Sequence, residues 1–165
     1  MIAPALALLL SLPPAPSPVP AADVGAAAKS FADICLAHSD SAQQARLEAE
    51  LRGFRKGDTL PGIGGGAPLE TYSNSPLDVA IREGKSGRFS CILIFAPEES
   101  VDNAGVAAAI TALPGLTPRS SKGNAKNWRA TWTPLAAPKG SKVYLTIGHG
   151  IGHRSAILTL ESETR

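Results

Sequence analysis

Charge is missing from the first 22 residues of this 165-residue chain: no Lys, Arg, Asp or Glu precedes Asp23. Aromatic residues make up only 5% of the chain, cysteine occurs twice, and no apolar run approaches the roughly 20 residues that a membrane-crossing helix needs. Each shortage excludes something. With few Phe, Trp and Tyr, the core is built from small and aliphatic side chains, so each large residue matters more to burial. The chain has no Gly-x-Ser-x-Gly elbow and no His-Glu-x-x-His pair, and the glycines of residues 62–66 are not followed directly by Gly-Lys-Ser/Thr. No reaction and no cofactor is therefore named by a motif.

What the first 22 residues do contain is an apolar run over residues 2–12, then Pro13, Pro14, Pro16, Pro18 and Pro20. Small residues at Val19 and Ala21, or at Pro20 and Ala22, stand where a small-x-small cleavage site belongs. Residues 1–22 are read as a signal peptide or Pro-rich leader, its positive charge supplied by the Met1 amino group alone. The mature chain is expected to start near Ala22 or Asp23 and to be periplasmic or secreted. No cysteine lies just after the leader, which argues against lipid anchoring, and no transmembrane segment is expected in the mature chain.

Residues 23–165 are long enough for one domain with a real core and too short for two ordinary ones. In an oxidising compartment an even cysteine count favours pairing, which predicts a Cys35–Cys91 disulfide.

Hydrophobic spacing outlines the elements. Val24, Ala27, Ala28, Phe31, Ile34 and Cys35 form one stripe, which predicts a helix over residues 24–36. Ser41 and Gln44 make a capping box for a second helix through Arg52, with Leu47, Leu51 and Phe54 at i, i+4 and i+7 and Gly53 as its terminator. Residues 55–68, rich in Gly and Pro, read as a loop. Period-two alternation of Leu77, Val79 and Ile81, then of Phe89, Cys91, Leu93 and Phe95, predicts a hairpin turning at residues 84–87. A third helix, capped by Ser100 or Asp102, carries Val106, Ala109, Ile110 and Leu113; a basic loop follows, then a strand with Trp128, Ala130 and Trp132. Residues 142–148 and 155–161 close the chain as a hairpin with Val143, Leu145 and Ile147 inward. The expected fold is α+β, a largely antiparallel sheet with helices packed on one face.

Net charge is +2, unevenly spread: residues 119–154 hold Arg119, Lys122, Lys126, Arg129, Lys139, Lys142 and Arg154 and no acid. Arg119, Lys122, Lys126, Arg129, Lys142 and Arg154 are the candidate anion-binding residues. Cations mixed with Trp128 and Trp132 are also the ingredients of single-strand nucleic-acid binding, but export removes that partner, and nucleic acid is not expected. An anionic envelope lipid, a polysaccharide or an acidic protein suits a basic face outside the inner membrane.

The sharpest local feature is the glycine-rich tip holding His149 and His153. With residues 150–152 as the loop, the two imidazoles stand opposite each other, close enough to share a metal ion. Two ligands fall short of the three that catalytic zinc normally takes, and Lys142 and Arg154 nearby disfavour a dication, so no metal is assigned.

The leader, the helix with Phe31, Ile34 and Cys35, the helix ending at Gly53 and Phe54, the strand with Cys91 and the closing hairpin together resemble the small uncharacterised secreted or periplasmic proteins of high-GC Gram-negative bacteria. That resemblance implies export and the disulfide, and no activity or site residue. The sequence therefore points to an exported, non-enzymatic domain that binds an anionic envelope component or a protein through its basic face. The alternative is a small hydrolase or metal-dependent enzyme using His149 and His153.

Overall fold

A computed structural model describes residues 20–62, 67–84, 87–149 and 153–163. Most of the leader, the glycines at 64–66 and the tip at 150–152 lie outside the described residues. Helix α1 (Val24–Phe31) opens on Asp23, whose carboxylate accepts from the Ala26 N–H at 2.6 Å, and runs on into a π-helical turn, Ala32–Leu36. Helix α2 (Ala42–Leu51) starts on Ser41, whose Oγ accepts from the Gln44 N–H. It stops where Gly53 takes φ +83°, a left-handed conformation that costs glycine little.

Four strands follow, β1 (Arg55–Leu60), β2 (Leu69–Asn74), β3 (Leu77–Glu83) and β4 (Arg88–Phe95), then α3 (Asn103–Thr111), and then β5 (Leu116–Gly123), β6 (Trp128–Pro134), β7 (Lys142–His149) and β8 (Arg154–Glu163). The strands make one antiparallel sheet in the order β1-β2-β3-β4-β8-β7-β6-β5. Two meanders, each led by helix, thus meet along their last strands, β4 and β8. This pairing puts the most apolar strands in the middle and the polar ones at the rims. The fold is α+β.

Register decides which side chains share a face. One row across the sheet runs Tyr72, Val79, Leu93, Leu158, Leu145 and Ala130; a second runs Ile81, Cys91, Leu160, Val143 and Trp132. All of these are buried, and with Phe31, Ile34, Val106 and Ile110 from the helices they form one continuous core. Among the bonds that join this face to the helices and the turn between them are the Cys35–Cys91 disulfide, with Cα atoms 5.6 Å apart, Trp132 Nε1 donating to Thr111 Oγ1 at 3.0 Å, and Ser162 Oγ donating to the carbonyl of Ser39 in the turn before α2. The disulfide is the one expected from the cysteine count.

Two strands sit where the sequence suggested loops: β1 lies within residues 55–68 and β5 occupies part of the basic stretch, while β2 follows that loop, ahead of the expected hairpin. Every residue of β1 is exposed, and β5 buries only Leu116. Both are edge strands, where one side of the ladder faces solvent and polar residues, Gly57 and Pro118 are tolerated. Each rim also carries an irregularity, between Lys56 and Thr59 and between Pro118 and Ser120, which discourages pairing with another chain.

Helix α2 also differs from its apolar stripe. It buries Ala42, Ala45 and Ala49, leaving Leu47 50% and Leu51 73% exposed. Small residues on the inward side let the helix approach the disulfide-tied turn closely.

Candidate basic face and groove

The seven cations of residues 119–154 separate into groups once the strands are placed. Lys122 and Arg129 are directly paired across β5 and β6, and Lys142 lies on β7; all three alternate with the buried set and are exposed. Arg119 occupies the irregularity in β5 and donates Nε–H to Thr133 Oγ1 at 2.9 Å. Lys126 stands in the β5–β6 turn, where Asn124 Oδ1 accepts from its backbone N–H and from that of Asn127. Lys139 lies in the loop between β6 and β7, exposed and away from that turn.

Arg154 is drawn elsewhere. Its guanidinium donates to the carbonyls of Glu98 and Val101, at 2.7 and 2.5 Å, and reaches Asn103 Oδ1 at 3.5 Å. Asn103 is buried and donates Nδ2–H to the carbonyls of Asn124 and Ala125. One side chain of β8 and one of α3 thereby tie the β4–α3 loop to the β5–β6 turn. That turn is tight: Gly123 has φ +150°, and a Cβ there would lie 2.2 Å from the Asn127 carbonyl oxygen. Asn103→Ala leaves two carbonyls without their donor, and unfolding in urea is expected to show a loss of about 1 to 3 kcal/mol.

Acids and bases are distributed differently in the two meanders. In the first, Asp33 pairs with Lys29 and Arg52, Glu48 with Arg52, and Glu70 with Arg46 and Lys56. The hydrogen bond from Lys56, helped by the charge of Arg46, holds the Glu70 carboxyl below its ordinary range; burial and the Glu70 charge push the Tyr72 hydroxyl up to about 12. This cluster therefore stays ionised at Glu70 and protonated at Tyr72 near neutral pH, the behaviour of a structural brace rather than of a proton-transfer pair. In the second meander, Lys122, Lys126, Arg129, Lys139 and Lys142 have no ion-pair partner among the described residues.

Beside the free cations lies an apolar strip that sequence reading did not single out. The row that holds Arg129 and Lys122 continues through Thr146 to Ile157 and Ile94, which are paired with each other and 39% and 38% exposed. Period-two alternation in both central strands was its signal: Ile94 and Ile157 occupy the positions out of phase with the core set.

The closing hairpin pairs His149 with Arg154, not with His153. Both histidines are exposed, and no group of three or more His, Cys, Asp or Glu able to hold a metal occurs among the described residues. No helix among them is long and apolar enough to cross a membrane.

A groove of about 540 Å³ opens between α3 and the β5–β6 rim. Ala104, Ala107, Ala108 and Thr111 line one wall, Pro118 to Ser121 the other, and Trp128 and Trp132 complete it. The two tryptophans, expected on one strand face, do share it; Trp132 is buried, whereas Trp128 is half-buried beside the groove.

No protein-family model matches this chain, and neither a curated protein nor a solved structure matches it.

Proposed function

We propose that this is an exported, non-enzymatic domain that docks on an anionic envelope lipid through the sheet face opposite its helices. On this reading all three helices cover the face that holds Cys91, Trp132 and Ser162, because Cys91 bonds to the π-helical turn, Trp132 to α3 and Ser162 to Ser39 in the turn that leads into α2, and their neighbours in register are buried. The opposite face is then free. The observation that carries the proposal is the row Ile94, Ile157, Thr146, Arg129, Lys122, in which neither cation has an ion-pair partner among the described residues; Lys142, on the same face of β7, stands opposite Glu161 without an ion pair to it. Cations that meet phosphate oxygens next to apolar side chains that meet acyl chains match the chemistry of a lipid surface.

Ala22 supports the position of the mature start. It is buried, and its N–H donates to the Ala96 carbonyl at 2.7 Å, so cleavage after Ala21 keeps this contact and cleavage after Ala22 removes it. The disulfide fits an oxidising compartment.

The test is sedimentation with vesicles of phosphatidylglycerol, with phosphatidylcholine as control. Each cation near an anionic surface contributes about 1 kcal/mol, so Lys122→Glu, Arg129→Glu and Lys142→Glu together are expected to weaken retention by about a hundredfold or more. The melting temperature should hardly change, because unpaired surface charges contribute little to folding. Retention of the wild type should fall steeply with salt, since screening acts within about 8 Å at physiological ionic strength. Equal retention on both lipids, or none on either, sinks the proposal; capture by acidic polysaccharide or an acidic protein instead would assign the face to that partner.

A further inference from the structure

On the sheet face that carries Arg129 and Ile157, an aromatic side chain stands among hydroxyls. Tyr144 of β7 pairs in register with Thr131 of β6 on one side and with Thr159 of β8 on the other. Along β7 its neighbours on this face are Lys142, which stands opposite Glu161, and Thr146, which lies between Arg129 and Ile157. Side chains two positions apart on a strand share a face, so these residues form one patch. A half-buried ring is at its centre, hydroxyls surround it, cations lie at its edges, and the isoleucine strip begins on its β8 side.

Threonine is common on exposed strands because its branched side chain suits the pleat. Here the hydroxyls differ between the two meanders in what they bond to. On the same face of the first meander, Thr71 Oγ1 donates to the Asp58 carbonyl, Ser73 Oγ donates to Asp78 Oδ1, and Ser90 is buried. In the second, Ser120 and Thr131 bond to each other and Thr133 accepts from Arg119, but the hydroxyls of Tyr144, Thr146 and Thr159 have no hydrogen-bond partner among the described residues. Each free hydroxyl offers one donor and two acceptor sites. A partner that uses the whole patch carries hydroxyls of its own, close to an anionic group and close to an apolar chain. A phosphorylated sugar on a lipid has that order: ring hydroxyls for the threonines, an apolar ring face for the tyrosine, phosphate for the guanidinium, and acyl chains for the isoleucines.

We propose that the lipid docked on this face is a phosphorylated glycolipid, with its sugar on Tyr144, Thr146 and Thr159, its phosphate on Arg129 and Lys122, and its acyl chains at Ile157 and Ile94. This inference rests on the reading of the face as a lipid-docking surface and adds the class of headgroup.

The experiment sediments the full disulfide-bonded protein with phosphatidylcholine vesicles that carry either diphosphoryl lipid A or phosphatidylglycerol at the same phosphate charge. Retention on lipid A is expected to be about tenfold tighter, as a few hydrogen bonds to the sugar would give. The double variant Thr146→Val, Thr159→Val removes two hydroxyls and keeps the branched shape that a strand favours. It should lose most of that preference and hold phosphatidylglycerol as the wild type does. Tyr144→Leu should behave in the same way, and the valine variant decides the matter if the leucine variant fails to fold. Equal retention of the wild type on the two vesicles overturns the inference and leaves the docking surface standing; no retention on either overturns both. A preference for lipid A that survives in the folded double valine variant and in folded Tyr144→Leu also overturns it.

Discussion

Truncating Phe31 to alanine is expected to lower the unfolding free energy by about 3 to 5 kcal/mol. Phe31 ends α1 and is wholly buried, in a core that has few other aromatic side chains to share the burial. α1 packs against the π-helical turn, α3 and β4, and much of the helical side of the shared core is alanine, so small side chains cannot move in to fill the space that an aromatic ring vacates. Because domains of this size are stable by only about 5 to 15 kcal/mol, the loss is a large fraction of the total. Urea denaturation at equilibrium measures it. A change below about 1 kcal/mol would show that α1 is peripheral to the core.

Replacing both Cys35 and Cys91 with alanine is expected to cost up to about 4 kcal/mol, the loop-entropy value for a crosslink spanning 56 positions. That corresponds to a fall in melting temperature on the order of 10 °C. The bond joins the π-helical turn to the central strand β4, and both cysteines are fully buried. Thiol titration of the wild type in denaturant without reductant should find no reactive thiol, and two after reduction. Two thiols before reduction, or a double variant as stable as the wild type, would overturn the assignment.

Much of the fold was legible because it obeys local rules. α1 follows a 3.6-residue stripe whose last members, Ile34 and Cys35, are buried in the π-helical turn that replaces the helix's expected end, the caps at Ser41 and Asp102 accept the expected N–H groups, and Val143, Leu145 and Ile147 point inward as their alternation requires. β1 and β5 were not legible, because a rim strand needs no apolar alternation: its stability comes from the neighbour it pairs with rather than from its own burial. β2, the next strand in from one rim, buries only Tyr72 and so shows no alternation either. The stripe of Leu47 and Leu51 misled for a related reason. An alanine face offers a closer approach to the core than a leucine face, and only the packing partner decides which is used.

The basic stretch shows the same division. Seven cations without an acid are a property of the chain, but Arg154 is taken up by loop carbonyls, Lys139 lies apart, and Lys122, Arg129 and Lys142 share a sheet face only because β5 to β8 pair in the observed register. A one-residue difference in register likewise sets His149 against Arg154 instead of His153.

By itself the sequence determined the three helices, the central strands, the inward residues of α1 and of those strands, and the cysteine pair, since each rests on periodicity, capping or compartment chemistry acting over a few residues. The tertiary structure alone decided the strand order, the two rims, the exposed Ile94–Ile157 strip and the groove at Trp128 and Trp132. These depend on contacts between residues far apart in the chain, where backbone hydrogen bonding is indifferent to side-chain identity and the burial of the whole core selects the arrangement.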